Sequence, residues 1–332
     1  MKALTKVFIL FLLSGFLYAD AFMKGDFADI DYLNQIWALR QNVSLRTQKY
    51  QMTSDEMTFY RKDKRFFAKG NVYLFFNKEN RKVWAASLNK DSVQKMLQGT
   101  PLKVIDKNDE REITALNLIL RDDTKEKILV FENNVKLKEN KLQIQSSRLV
   151  YNEDTGEIQL EKESILEKPE EKLKIQSKDI QYNEKLKKAV FSNPVHITKK
   201  ESEITAEKGY YEEKDDLIFL EDGVIYREKK REVKAHRMTT RIEKDEKIMS
   251  FEDIIQIQED NFIGKCLVLE YMDKKEYVNL KGNAALRDEK KNLGIKSSLI
   301  SVDKKKDMIY FIGAVYVTQK NKVITGNIGV YN

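Results

Sequence analysis

The feature that most constrains this chain is a repeat. The stretch Ile204–Tyr226 has four parts: an alternating run ending on a small residue (Ile204, Ala206), a tyrosine (Tyr211), a charged turn (Glu212–Asp216), and an apolar run closing on Gly223-Val224. Looser copies recur about every 30 residues, a period that belongs to stacked repeat architectures. The small residue falls at Ser54, Ala85, Ala115, Ser146, Ser177, Ala206, Ala235, Gly264, Ser297 and Gly326. The closing apolar residue falls at Val72, Leu102, Val135, Ile165, Val195, Val224, Ile254, Ala284 and Val315, often after Gly or Asn. Tyr151, Tyr182, Tyr211 and Tyr271 occupy one matching place.

Within each copy the apolar period is two, which is the pattern of strands with one face buried and one wet. Val135, Leu137, Leu142 and Ile144 alternate with Lys, Glu and Gln. The same spacing joins Leu149 to Tyr151, Leu173 to Ile175, Ile180 to Tyr182, Val195 to Ile197, and Ile218 to Leu220. The links, such as Asn152–Gly156 and Glu212–Asp216, are short and charged, which favours hairpin reversal and antiparallel pairing. Each repeat is therefore two extended passes. The small residues Ser146, Ser177, Ala206, Ala235, Gly264, Ser297 and Gly326 mark where the first pass is expected to bend, because small side chains let backbones come close. A column of bent strands makes two facing sheets joined along one side. The space between them is then lined by Val72, Val135, Leu137, Leu142, Ile144, Leu149 and Tyr151, by Ile175, Ile180, Tyr182, Val195 and Ile197, and by Ile204, Tyr211, Ile218, Leu220, Val224, Tyr226, Tyr271 and Val315.

Composition agrees with a protein rich in surface, at 34% charged and 41% hydrophobic residues. The net charge is +7, and Lys and Glu alternate through the chain instead of forming blocks, so no nucleic-acid partner is expected. A single cysteine, Cys266, rules out an intrachain disulfide, and with His196 and His236 it leaves no four-ligand zinc set of the usual kinds. Cys266 lies in an apolar run and reads as an inert buried thiol. No catalytic residues, cofactor or metal are expected. The carboxylate pairs Asp122-Asp123 and Asp215-Asp216 sit in turns, and no Ser-His-Asp set, phosphate loop or H-E-x-x-H is present.

The N-terminus, residues 1–21, reads as a cleavable export signal: Lys2 and Lys6, the apolar run Val7–Leu13, then Ala19-Asp20-Ala21. The apolar run is shorter than the ~20 residues a spanning helix needs. Residues 22–51 are the least repetitive part. Ile30, Leu33, Ile36, Trp37 and Leu39 have roughly helical spacing, so a short helical cap over the first repeat is expected there, with the repeat domain running from Met52 to Asn332.

These motifs resemble the OstA-like family of lipopolysaccharide transport proteins, LptA, LptC and the periplasmic domain of LptD. The resemblance rests on Ile144-Gln-Ser146 to Tyr151, Ile175-Gln-Ser177 to Tyr182, Ile204-Thr-Ala206 to Tyr211, and Gly70-Asn71-Val72. It implies an all-β fold, an elongated antiparallel β-jellyroll or "β-taco" solenoid, here of about nine to ten repeats on the period noted above. It also implies a periplasmic protein of a two-membrane bacterium whose groove carries lipopolysaccharide or lipooligosaccharide acyl chains. LptC-like and LptD-like partners, or further copies of the chain, would join by edge-strand pairing. Two other readings remain open: a structural β-solenoid without lipid cargo, and a polysaccharide-active enzyme. More repeats than in a typical LptA are expected, with no outer-membrane barrel expected after them. At about 4.8 Å per strand the repeats span roughly 85 Å before twist.

Overall fold

The computed structural model describes residues 22–331, apart from residues 64, 79, 92–95, 107–109, 122–127, 244–245 and 321. The expected export signal lies outside the described residues. These residues form twenty-six antiparallel strands and one 3-10 turn, Pro169–Glu171. The chain divides into two compact units, Met1–Lys168 and Pro169–Asn332. Both are built from antiparallel pairs, and most of the long strands pair with the strands before and after them in the chain. In the first unit Leu142–Asn152 pairs with Ile128–Glu139 and with Glu157–Lys168. In the second, Leu293–Asp303 pairs with Tyr277–Asp288 and with Met308–Gln319. The predicted turn at Asn152–Gly156 closes with Asn152 Oδ1 accepting from the amides of Asp154 and Thr155 at 3.0 and 3.2 Å, an Asx turn.

Many of the long strands are kinked near the middle, and neighbouring strands are kinked by different means. In several repeats the second pass carries two consecutive residues of left-handed backbone that face only one residue on the neighbouring strand. Gly70-Asn71 (φ 72° and 46°) lies between the pairs Lys69–Ser87 and Val72–Ala85, so two residues oppose Ala86 alone. The same two-for-one bulge recurs at Asn133-Asn134, Asp222-Gly223, Gly282-Asn283 and Gly313-Ala314. A bulge kinks its strand and raises the local twist. Left-handed backbone costs an ordinary L-residue about 1–2 kcal/mol, and Gly and Asn tolerate it best. That is the physical reason Gly and Asn so often precede the closing apolar residue.

The first pass turns its corner at the residue just after the small one. Leu116 and Glu207 interrupt their strands there, after Ala115 and Ala206. The corner shifts the inward phase by one, so that Leu142, Ile144 and Ser146 face inward before it, and Leu149 and Tyr151 after it. Small side chains are needed where the arms converge, and the serines also work as donors. Ser54 Oγ lies 3.0 Å from the Glu56 carbonyl, Ser146 Oγ 2.8 Å from that of Arg148, and Ser297 Oγ 2.8 Å from that of Ile312. These bonds satisfy polar groups that would otherwise be buried without partners at the kink.

Three sequence expectations are corrected here. Residues 22–51 form no helix: Phe22–Lys24, Phe27–Asp31 and Ile36–Arg46 are strands, and Leu33 sits in a turn, 95% exposed. Trp37, Leu39, Val43 and Leu45 are buried at period two on either side of the left-handed pair Gln41-Asn42, which is the repeat pattern itself. The small position of its repeat is held by Cys266, not Gly264, because Cys266 pairs with Ile255, the closing residue there in place of Ile254. Ser164 takes the closing place assigned to Ile165, pairing with Ser146 at an Oγ–Oγ distance of 3.0 Å.

Two glycines test the corner geometry. Gly223 has φ +65° with open space where a Cβ would sit, whereas a Cβ on Gly209 would lie 2.2 Å from the Phe219 carbonyl oxygen. Gly223→Ala is expected to cost about 1 kcal/mol of backbone strain. Gly209→Ala is expected to lower the urea midpoint further. Equal midpoints, or the reverse order, would contradict this account of the bends.

Candidate functional site: the apolar interior and its seam

In each unit the inward side chains of the bent strands meet in one apolar layer. Every residue expected to line it lies inside. In the first unit Val72, Val135, Leu137, Leu142, Ile144, Leu149 and Tyr151 are at most 7% exposed. In the second, Ile175, Ile180, Tyr182, Val195, Ile197 and Ile204 are buried, as are Tyr211, Ile218, Leu220, Val224, Tyr226, Tyr271 and Val315. In both units these positions are shielded from solvent. Ser146, Ser177, Ala206, Ala235 and Ser297 are buried beside the corners. Gly264 is buried two residues before the corner position, and Gly326 is exposed on the last strand.

The arms open on the side away from the corners, and their ends meet along a seam. Here inward positions turn from apolar to charged. Arg81, Arg111 and Arg231 occupy one place in their repeats, four residues before Ala85, Ala115 and Ala235. Each reaches across to the opposite arm. Arg81 Nη1 lies 2.5 Å from Glu153, the Arg111 guanidinium covers the Tyr151 ring at 4.7 Å, and that of Arg231 covers the Tyr271 ring at 4.2 Å. Lys199 crosses to Asp216 at 2.5 Å, and Lys304 crosses to Glu259. Carboxylates on the arginines' own arm complete the set: Asp106 for Arg81, Glu139 for Arg111, and Glu259 with Glu228 for Arg231.

These groups are only partly in water. The Arg231 side chain is 10% exposed and that of Glu259 23%. Burial alone would raise the Glu259 carboxyl, but the hydrogen bonds from Arg231 and Lys304 outweigh it and hold the group below the usual carboxylate range. Lys247 is pushed below the usual ammonium range by burial first and then by Lys199. Sequence reasoning missed this seam, since no arginine stands out in a chain with 60 basic residues. The signal that finds it is the spacing Arg-x-x-x-Ala in register with the repeat.

Among the described residues no group of three or more His, Cys, Asp or Glu is placed to hold a metal ion, and no helix is long and apolar enough to cross a membrane. His196 and His236 lie on outer positions, 2.9 Å from Glu203 and 3.4 Å from Asp222.

A bent antiparallel stack with an apolar interior and a polar seam defines the class: a β-jellyroll repeat protein. The sequence matches the family described as LptA/(LptD N-terminal domain) LPS transport protein over residues 112–246 and again over 174–306, two overlapping placements displaced by about two repeats. Together they cover more than half of the chain, and the chain belongs to this family. The family is one of transport proteins, not of enzymes. Thirteen chains of solved structures match. Among them is LptH of Pseudomonas aeruginosa, the LptA-homologous periplasmic component of its lipopolysaccharide transport device, at 12% identity and a TM-score of 0.24, over 40% of this chain and 75% of that one. No curated protein matches this chain.

The buried thiol gives a direct test of interior closure. Burial pushes Cys266 up to about 12, so the thiolate that reacts with disulfide reagents is scarce near neutrality. At about pH 8 the folded protein is expected to be silent to such a reagent and to react fully once unfolded in guanidinium. Equal rates in both states would contradict a closed interior at this position.

Proposed function

We propose that this protein carries lipopolysaccharide across the periplasm of a two-membrane bacterium, holding acyl chains between its two sheets while the charged head stays outside. The family supports lipopolysaccharide transport in general. The observation that carries the specific reading is the contrast between an apolar interior and an inward-facing charged seam along one side of it. Enclosing one methylene contributes about 0.8 kcal/mol, so a twelve-carbon chain gains about 9 kcal/mol on leaving water. Opening one charge-assisted contact of the seam costs about 1–3 kcal/mol. The gain from enclosing one chain is therefore larger than the cost of opening one such contact.

Partners of the same fold, LptC-like on one side and LptD-like on the other, or a further copy of this chain, would add strands at the edges. The strand Lys322–Tyr331 supports this: it pairs on one side with Met308–Gln319 and exposes Ile324 and Ile328 at 64% and 76%. The tight interior favours a second reading, a structural repeat protein of the envelope without lipid cargo.

Photo-crosslinking separates the two. A benzophenone side chain at Leu149 or Ile180, both 0% exposed, is expected to yield lipopolysaccharide adducts in cells, and one at the outward Lys138 none. Absence of adducts at every interior position would leave the structural reading standing.

A further inference from the structure

The second unit has a cleft of about 510 Å³ directly outside the seam at Arg231. It is framed by Arg227, Lys229, Lys230 and Arg231, against two lining carboxylates, Glu232 and Asp260. Three of its cations are engaged loosely. Lys229 lies 3.5 Å from Glu201 with both side chains more than 70% exposed, Lys230 meets Asp260 at 2.9 Å with exposures of 80% and 52%, and Arg227 meets Glu232 at 2.9 Å with exposures of 48% and 33%. Exposed pairs of this kind contribute little and yield readily to a better anion. Arg231 differs. It is held by Glu259 at 3.0 Å and Glu228 at 3.4 Å, and it lies over Tyr271 at the mouth of the apolar layer. The cleft and the layer thus meet at one side chain.

A phosphate offers several strong acceptor oxygens and up to two negative charges, and guanidinium and ammonium groups converging on one cleft suit it. The three loose cations sit on the solvent side and the fixed arginine on the interior side, which is the order of head and tail in an amphiphile. We propose that this cleft is a headgroup station: it takes the phosphate of an anionic amphiphile whose chains enter the interior beside Arg231. The phosphate displaces the exposed carboxylates from Lys229, Lys230 and Arg227, while Glu259 keeps Arg231 in place. This rests on the lipid-carrying reading above and adds to it where the head is held and by which chemistry.

Calorimetric titration of the full chain with three probes tests it: dodecyl phosphate, dodecyl maltoside and inorganic phosphate, the amphiphiles below their micellar concentrations. Dodecyl phosphate is expected to bind about tenfold more tightly than dodecyl maltoside, and inorganic phosphate to give no measurable binding. The double variant Lys229→Gln/Lys230→Gln changes only exposed side chains, so its fold is not at risk. It is expected to lose most of that preference while binding dodecyl maltoside as before. Asp260→Asn removes a competing carboxylate and is expected to strengthen dodecyl phosphate binding. Equal affinity for the two amphiphiles, or a preference unchanged in the double variant, would overturn the headgroup station and leave lipid carriage intact. Inorganic phosphate binding as tightly as dodecyl phosphate would make the cleft a free-anion site and overturn the proposal as well. Failure of both amphiphiles to bind would remove lipid carriage and the station together.

Discussion

Everything in this structure depends on keeping the backbone hydrogen-bonded while it turns a corner inside an apolar core. A strand that bends sharply takes carbonyls out of the ladder, and a buried carbonyl without a donor is costly. The chain meets this with two matched devices on neighbouring strands. One strand carries a pair of left-handed residues such as Gly70-Asn71 or Gly282-Asn283. The next carries a small residue whose hydroxyl, where it is serine, reaches the carbonyls at the kink. Because each strand must match both neighbours, the devices repeat in register, and the long-range order of the sequence follows from that local requirement.

The corner sets where function can lie. Bending each strand at its middle brings two arms face to face, so the apolar layer is closed at the corner by covalent chain and on the other side only by side chains. In the first unit that second side holds Arg81 and Arg111 across from Glu153 and Tyr151, and in the second it holds Lys199, Arg231 and Lys304 across from Asp216, Tyr271 and Glu259. One wall is permanent and the other can be exchanged. A long apolar ligand has no route in through the corner, and a route in from the seam breaks no backbone pairing.

Much of the fold was legible in the sequence, since a period of two within a larger repeat leaves little choice for a chain that must bury one face. The interior positions followed directly, because a one-residue slip would turn them all to solvent. The errors fell where two residues of a similar kind lie close together. Gly264 is small and two residues from Cys266, yet the even spacing Ala235, Cys266, Ser297 is the true register. Ile165 looks apolar enough to close a repeat, but the corner needed the small, hydrogen-bonding Ser164. Ile30, Leu33 and Ile36 mimic a helical face only because a turn between two strands interrupts their alternation. The seam was hidden for a different reason: inward-pointing arginines look like surface arginines until pairing shows which way each faces.

The central claim is that the seam-bounded interior moves lipopolysaccharide between membranes. Its most direct test is conditional depletion of this protein in its host, with newly made lipopolysaccharide pulse-labelled and the inner and outer membranes separated by density. The account predicts that label accumulates in the inner-membrane fraction as the protein is lost and moves outward again when wild-type protein is restored. Label reaching the outer membrane at an unchanged rate in depleted cells would contradict it.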